Sequence, residues 1–254
     1  MRRLLPYLLL PALLGPSLAF AQHRTSVRDS SIAMTIVTAS YAYQIPSGDM
    51  ALRFGPNNNI GLSGTYKARS NFFVGAEGSF LFGNRINETS LLRNILTEDG
   101  SVLDRFGQPA TVFLYERGYT VMAHVGKVVP VAGPNPNSGI LLKLSGGYLR
   151  HKIRLETQEN EVPQIEGEYL KGYDHLCAGP AFALTVGYQH IGSNRLVNFL
   201  VAFESTVALT RSLRPYNFDT GPASDDIRND ILNGLRVGWS LPIYKRQDDA
   251  FYFH

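Results

Sequence analysis

Long apolar runs are missing from nearly all of this chain. Beyond the N-terminal segment no stretch approaches the roughly 20 apolar residues that a membrane helix needs, which excludes a helical span there. Cysteine is almost absent, and the single Cys177 rules out an intramolecular disulfide. A basic excess is lacking too: the formal charge of +3 falls to +1 once Arg2 and Arg3 are set aside, so nothing points to a nucleic-acid partner. The histidines (His23, His124, His151, His175, His190 and His254) are scattered, with no pair at metal-ligand spacing. No glycine-rich phosphate cradle, zinc motif or nucleophile elbow occurs. The sequence therefore gives no cofactor, no metal site and no catalytic residue to expect.

What is plentiful is glycine, tyrosine and phenylalanine, at 24, 13 and 14 residues, and that mixture favours strands over helices. Aromatic side chains fit pleated surfaces, and glycine serves bends and close strand contacts. The N-terminus reads as a targeting segment. Arg2 and Arg3 form its positive region, and Leu4 to Leu18 is an apolar run broken by Pro6, Pro11 and Pro16. Ala19-Phe20-Ala21 then offers small residues to a signal peptidase. Residues 1–21 are expected to be a cleaved signal peptide, with 22–254 the mature domain. An uncleaved anchor is disfavoured, because the run is short and interrupted.

Period-two alternation recurs along the mature chain and predicts strands over Ser31–Ile45, Asn59–Lys67, Phe72–Gly83, Thr111–Val129, Gly139–Thr157, Gly179–His190, Leu196–Thr210 and Asp230–Tyr244. The connections between them alternate long, short, long, short throughout. That layout predicts an all-β fold: an eight-stranded antiparallel transmembrane β-barrel, an up-and-down meander with short periplasmic turns and long extracellular loops. An even strand number returns both termini to one side.

The segment Leu196–Thr210 shows how such a strand divides its residues. Val197, Phe199, Val201, Phe203, Val207 and Leu209 share one face, while Asn198, Glu204 and Thr206 share the other. The first face suits lipid and the second a polar interior. Closure pairs every backbone group, as hydrocarbon demands. Tyr41, Tyr43, Tyr66, Phe72, Tyr188 and Trp239 are candidates for interfacial girdles. The soluble alternative, a periplasmic sandwich or lipocalin-like barrel, would turn its apolar face inward.

The chain resembles outer-membrane β-barrel proteins of the Bacteroidetes type. The residues that carry the resemblance are Ile45-Pro46-Ser47-Gly48-Asp49, Arg53-Phe54-Gly55 and Lys171-Gly172-Tyr173-Asp174. Arg236-Val237-Gly238-Trp239-Ser240-Leu241-Pro242-Ile243 looks like a terminal-strand signal read by the barrel assembly machinery. The chain departs from that pattern by continuing as a tail from Lys245 to His254. The resemblance implies location and fold more than function.

Glu77, Lys143, Glu204 and Arg236 all fall on the expected inner face. They are expected to pair as an interior ion network similar to that of small barrels typified by outer-membrane protein A. One reading makes that network a gate or conduit, the other a plug. The eight-strand interior is nearly filled by side chains, which favours the plug. Arg236 is expected to matter most, since its planar fork can bind both carboxylates.

His190-Ile191-Gly192-Ser193-Asn194 faintly resembles the His-Ser-Asn motif of lipid A deacylase barrels, but with different spacing and at a turn, where Gly-Ser-Asn is ordinary. Asp225-Asp226, near Asp219 and Asp230, reads as a solvated loop rather than a calcium site. Asn87-Glu88-Thr89 fits a glycosylation sequon, and Leu91–Leu96 suggests a short helix.

The function expected is structural or loop-mediated interaction, without catalysis, at the outer membrane. The expected partners are outer-membrane lipid, the assembly machinery and a protein met by Asn84–Ala110 and Gln158–Leu176. The alternatives are a narrow channel for small solutes, an accessory barrel of a secretion or gliding apparatus, and, last, a lipid-modifying enzyme.

Overall fold

The computed structural model describes residues 30–158, 161–192 and 196–243. The signal segment, Ser193 and Asn194, and the tail from Lys245 to His254 lie outside the described residues. Eight strands close into an antiparallel barrel: β1 (Met34–Gly48), β2 (Asn57–Lys67), β3 (Phe72–Gly83), β6 (Val112–Val129), β7 (Gly139–Thr157), β8 (Cys177–Ile191), β9 (Asn198–Ser212) and β12 (Arg228–Ile243). Each pairs with its neighbours in chain order, and β12 closes on β1 through Thr35↔Ile243 to Gly48↔Asp230.

The strand ends follow the expected pattern within a few residues, and β3 and β7 coincide with it. The largest difference is in β1, which runs on through Pro46 to Gly48. Pro46 has no N–H to give, so it fits only where a strand has one neighbour. That condition holds: β2 pairs with β1 only up to Gln44↔Asn57, whereas β12 continues alongside with Pro46↔Leu232.

The two faces are sorted as lipid on the outside and a polar filling inside would require. On β9, Phe199, Val201, Phe203, Val207 and Leu209 are exposed, while Asn198, Leu200, Ala202, Glu204, Thr206 and Ala208 are buried. On β12, Leu235, Val237, Trp239 and Ile243 are exposed opposite buried Arg236 and Ser240. Tyr66, Phe72 and Trp239 stand outward near the short-turn end, where Trp239 Nε1 donates to Leu196 O at 2.8 Å and Lys127 lies over the Phe72 ring. An aromatic ring with a polar handle suits the boundary between hydrocarbon and headgroups.

The interior is layered. At the short-turn end Ile32, Met34, Ile36 and Ile191 form an apolar stopper. Lys67 Nζ ties the entering chain down, donating to Ile32 O at 3.1 Å and Asn137 Oδ1 at 2.9 Å. Phe73, Val128, Leu141, Leu200 and Ala202 pack farther in. Toward the long loops Leu81, Met122, Leu149, Ile153 and Leu232 join Met50 of the short helix α1 (Asp49–Arg53), which caps the barrel mouth, and Phe54 just after it.

The long loops are themselves folded. The second carries a two-stranded ribbon, β4 (Val102–Leu103) with β5 (Pro109–Ala110), and the fourth carries β10 (Tyr216–Asn217) with β11 (Gly221–Pro222). The helix expected over Leu91–Leu96 is a single 3-10 turn at Arg93–Ile95.

Gly75 is among the glycines required by close approach. A Cβ on Gly75 would stand 2.2 Å from Gly64 O and 2.6 Å from His124 Nε2, the atom that meets Thr65 Oγ1 at 2.9 Å. Gly75→Ala is therefore expected to cost about 1–3 kcal/mol, as overpacking does. Gly64→Ala, which would meet nothing within 4 Å, should stay within about 0.5 kcal/mol of wild type. Urea unfolding of the refolded barrel in detergent compares them, and equal costs would contradict the close contact.

Candidate functional site

Four inward-facing charges from four strands meet at mid-barrel. Lys143 Nζ on β7 lies 2.5 Å from Glu77 Oε2 on β3 and 3.9 Å from Glu204 Oε2 on β9. Arg236 Nη2 on β12 donates to Glu204 Oε1 at 2.5 Å, and its Nη1 donates to Ser40 Oγ at 2.8 Å. Thr185 Oγ1 completes the Glu204 carboxylate from β8 at 3.0 Å. The residues singled out from the sequence are thus neighbours here, but they are wired differently from the expectation. Arg236 holds one carboxylate and a serine; Lys143 is the group that reaches both acids. A planar fork spans two acids only when both lie on its rim, and Glu77 is held instead by Lys143.

Beside the network is a cavity of about 50 Å³ bordered by Thr38, Thr65, Lys67, His124 and Gln189. That is room for a few waters, not for a solute.

A second polar layer, nearer the loops, was not singled out from the sequence. His151 on β7 and Asp230 on β12, both fully buried, meet at 2.9 Å, and Thr210 Oγ1 donates to the same Asp230 oxygen. Glu116 on β6 accepts from Asn57 Nδ2 at 3.0 Å. Each is inward by strand parity. Phe113, Tyr115 and Tyr119 alternate with Glu116 along β6, and that alternation was the signal available.

The third cluster joins all four long loops. Arg53 of α1 donates through Nε to Glu88 Oε2 at 3.0 Å and through Nη1 to His175 O at 3.1 Å. His175 Nε2 lies 2.8 Å from Asp219 Oδ1, and its Nδ1 lies 3.5 Å from Glu88 Oε2. Asp174 and Arg214 pair through two contacts nearby, and hydrogen bonding to Asp174 raises the Arg214 pKa. Above them Tyr169, Tyr173, Tyr216 and Phe218 border an open aromatic hollow of about 640 Å³ with Asn94 and Gln164 at its edge.

The remaining motifs separate. His190 stacks on Phe199 at 4.9 Å at the short-turn end, and the Ser193 and Asn194 of its motif lie outside the described residues. Asp219 turns to His175 and Asp230 to His151, so they do not gather with Asp225 and Asp226. The Asn87 amide nitrogen of the sequon donates to Ala51 O at 2.8 Å.

No protein-family model and no curated protein matches the chain. Among solved structures it is similar to Neisserial surface protein A, at 9% identity and a TM-score of 0.43, over 82% of this chain and 96% of that one. It is similar to Ail, the attachment invasion locus protein of Yersinia pestis, in complex with the heparin analogue sucrose octasulfate, at 12% identity and a TM-score of 0.39, over 83% and 99%. It is also similar to the outer membrane protein OprG from Pseudomonas aeruginosa, at 10% identity and a TM-score of 0.35, over 85% and 99%. Likeness this distant carries nothing about ligand or role to this chain, whose described residues form an eight-stranded closed barrel in their own right.

Proposed function

We propose that this protein is an outer-membrane barrel with a stoppered lumen, and that it works by presenting its folded long loops outside the cell rather than by conduction or catalysis. One observation carries the reading: the interior is packed in successive layers that leave room only for a few waters beside the charge network. The Ile32–Ile191 stopper, the Glu77–Lys143–Glu204–Arg236 network and the Leu81–Leu149–Leu232 core follow one another, and α1 caps the mouth. The exposed apolar faces of β9 and β12 support insertion in lipid, since a water-facing barrel would bury such faces.

Delivery through a cleaved signal peptide, insertion by the assembly machinery and kinship with Bacteroidetes-type barrels rest on the sequence motifs given above. A loop-mediated partner is supported by the order within the loops: two β-ribbons and a cluster of ion pairs form a fixed surface. A fixed surface binds without a large ordering cost.

Planar-bilayer recordings test the closed lumen, with no discrete open-state steps expected. A selective current that shifts in Arg236→Met would replace the stopper with a channel. Epitope tags after Gly100 and Glu166 should be reachable on intact cells, and one after Asn135 should not. Labelling only at Asn135 would invert the orientation.

A further inference from the structure

We propose that the Glu88–His175 pair at the loop face is a binding site for one divalent transition-metal ion of the zinc class, oriented by Asp219. The observation is a buried, unpartnered lone pair on His175 in a group where ligand atoms of Glu88, His175 and Asp219 all lie within 4.8 Å of one another. The His175 ring is 2% exposed, and its Nε2–H donates to Asp219 Oδ1 at 2.8 Å. That bond turns the bare Nδ1 toward Glu88 Oε2, 3.5 Å away, and Nδ1 has no hydrogen-bond partner. Glu88 Oε2 already accepts from Arg53 Nε at 3.0 Å, so the unmet group is the buried Nδ1 lone pair, which a proton or a metal ion beside the carboxylate would satisfy. A proton is the poorer candidate, because 3.5 Å exceeds the ordinary N–H···O range of about 2.7–3.2 Å. A metal fits better: two ligands bound at about 2.1 Å on a tetrahedral ion stand about 3.4 Å apart.

The surroundings agree with that choice. A carboxylate on the far ring nitrogen is the usual way a metal-bound histidine is oriented and made more basic, and Asp219 holds that position. His175 sits at φ 43, in the left-handed region, and its ring stands between Glu88 of the second loop and Asp219 of the fourth. The pair opens on a cavity of about 330 Å³ whose lining includes Asp49, Ser224 and Asp226, leaving room for water on the remaining coordination positions. Counting Asp219 with the lining groups, the four carboxylates Asp49, Glu88, Asp219 and Asp226 face the two guanidinium groups Arg53 and Arg228. With a neutral ring the excess is two negative charges, the charge of one such ion. Arg53 Nε donates to the same Glu88 Oε2 that faces His175 Nδ1, so a metal would share that oxygen with Arg53 or take Oε1, and the Cys177 thiol is held against Arg53 at 3.3 Å, outside the donor set. An imidazole donor selects zinc-class ions over calcium, which takes oxygen ligands.

Bound metal would join the second loop to the third, with Asp219 adding the fourth and Arg53 the first. It would thereby set the shape of the exposed surface.

Isothermal titration of the full-length barrel, refolded in detergent, with Zn²⁺ alone and with Ca²⁺ alone tests the site. One Zn²⁺ per chain is expected, with little response to Ca²⁺. His175→Asn keeps a residue that tolerates the left-handed backbone and is expected to abolish saturable binding, as is Glu88→Gln. Asp219→Asn should weaken it by roughly 10–100-fold. Asp225→Asn, an exposed loop acid outside the donor set, should leave it unchanged. Heat-modifiable gel mobility confirms that each variant is folded. Bound Zn²⁺ should also slow proteolysis of the second and third loops in wild type and not in His175→Asn. Absence of saturable Zn²⁺ binding up to about 1 mM, a Kd worth only about 4 kcal/mol, would overturn the site. So would undiminished binding in folded His175→Asn, or a preference for Ca²⁺.

Discussion

Replacing Glu204 by glutamine is expected to cost the folded barrel about 3–5 kcal/mol, the range for breaking a buried pair from one side. Glu204 is the hub acceptor of the lumen: Arg236 Nη2 and Thr185 Oγ1 donate to it at 2.5 and 3.0 Å, and Lys143 Nζ stands 3.9 Å away. The amide would keep the volume and remove the charge. Arg236, 5% exposed, would then be left with neutral partners alone, the new amide and Ser40 Oγ, and it cannot escape by losing its proton.

Arg236→Met should cost less, because Glu204 would keep Thr185 and the nearby Lys143, an ammonium on a flexible stem that can close the remaining distance. The double variant should recover part of the Glu204→Gln loss, since no guanidinium is then stranded. Urea unfolding in detergent of both single variants and the double gives the coupling directly, and groups sharing one network commonly couple by about 0.5–3 kcal/mol. Purely additive costs would sink the network as a unit. A reversed order, with Arg236→Met the worse, would return the hub to the arginine fork.

That wiring marks the boundary of what strand parity can tell. Parity places a side chain inside or outside, because neighbours along a strand must point oppositely and only one face can be apolar. It therefore put Glu77, Lys143, Glu204 and Arg236 in the lumen from the sequence alone. It says nothing of height along the barrel axis, which depends on the register between strands, here Glu77↔Met122 and Lys143↔Thr185. Without height, which acid Arg236 meets stays open.

His151, Glu116 and Asp230 were legible as inward-facing by the same rule, but in the sequence His151 reads only as one of the scattered histidines and Asp230 as a neighbour of the Asp225-Asp226 loop. The sequence pattern ends β1 at Ile45, short of Gly48; Pro46 fits inside the strand because only β12 pairs alongside it there. The loop cluster lay beyond sequence reasoning of this kind. Arg53, Glu88, His175 and Asp219 share no spacing and no period, and barrel closure brings them within contact distance.

The second large effect concerns the outer face. Phe203→Arg is expected to destabilise the barrel in lipid by about 2–4 kcal/mol if the site lies near the midplane, with less toward either rim. Phe203 is half exposed and is flanked across the sheet by Val186 and Leu235, both exposed too. No acid stands among these outward neighbours to receive the guanidinium, so in hydrocarbon the charge would have to snorkel along the strand to a headgroup.

One residue away, Ala202→Ser turns into the polar lumen and should cost less, while Phe203→Leu separates loss of the ring from gain of charge. The comparison belongs in lipid bilayers, by urea unfolding, because a detergent shell deforms around a charge more readily than a bilayer does. It also decides between the two environments such a face could meet. Against water an exposed phenylalanine is a liability and arginine an improvement, so Phe203→Arg would be neutral or stabilising. Against hydrocarbon the order is reversed, and that sign, more than its size, ties the exposed apolar rows of this barrel to a membrane.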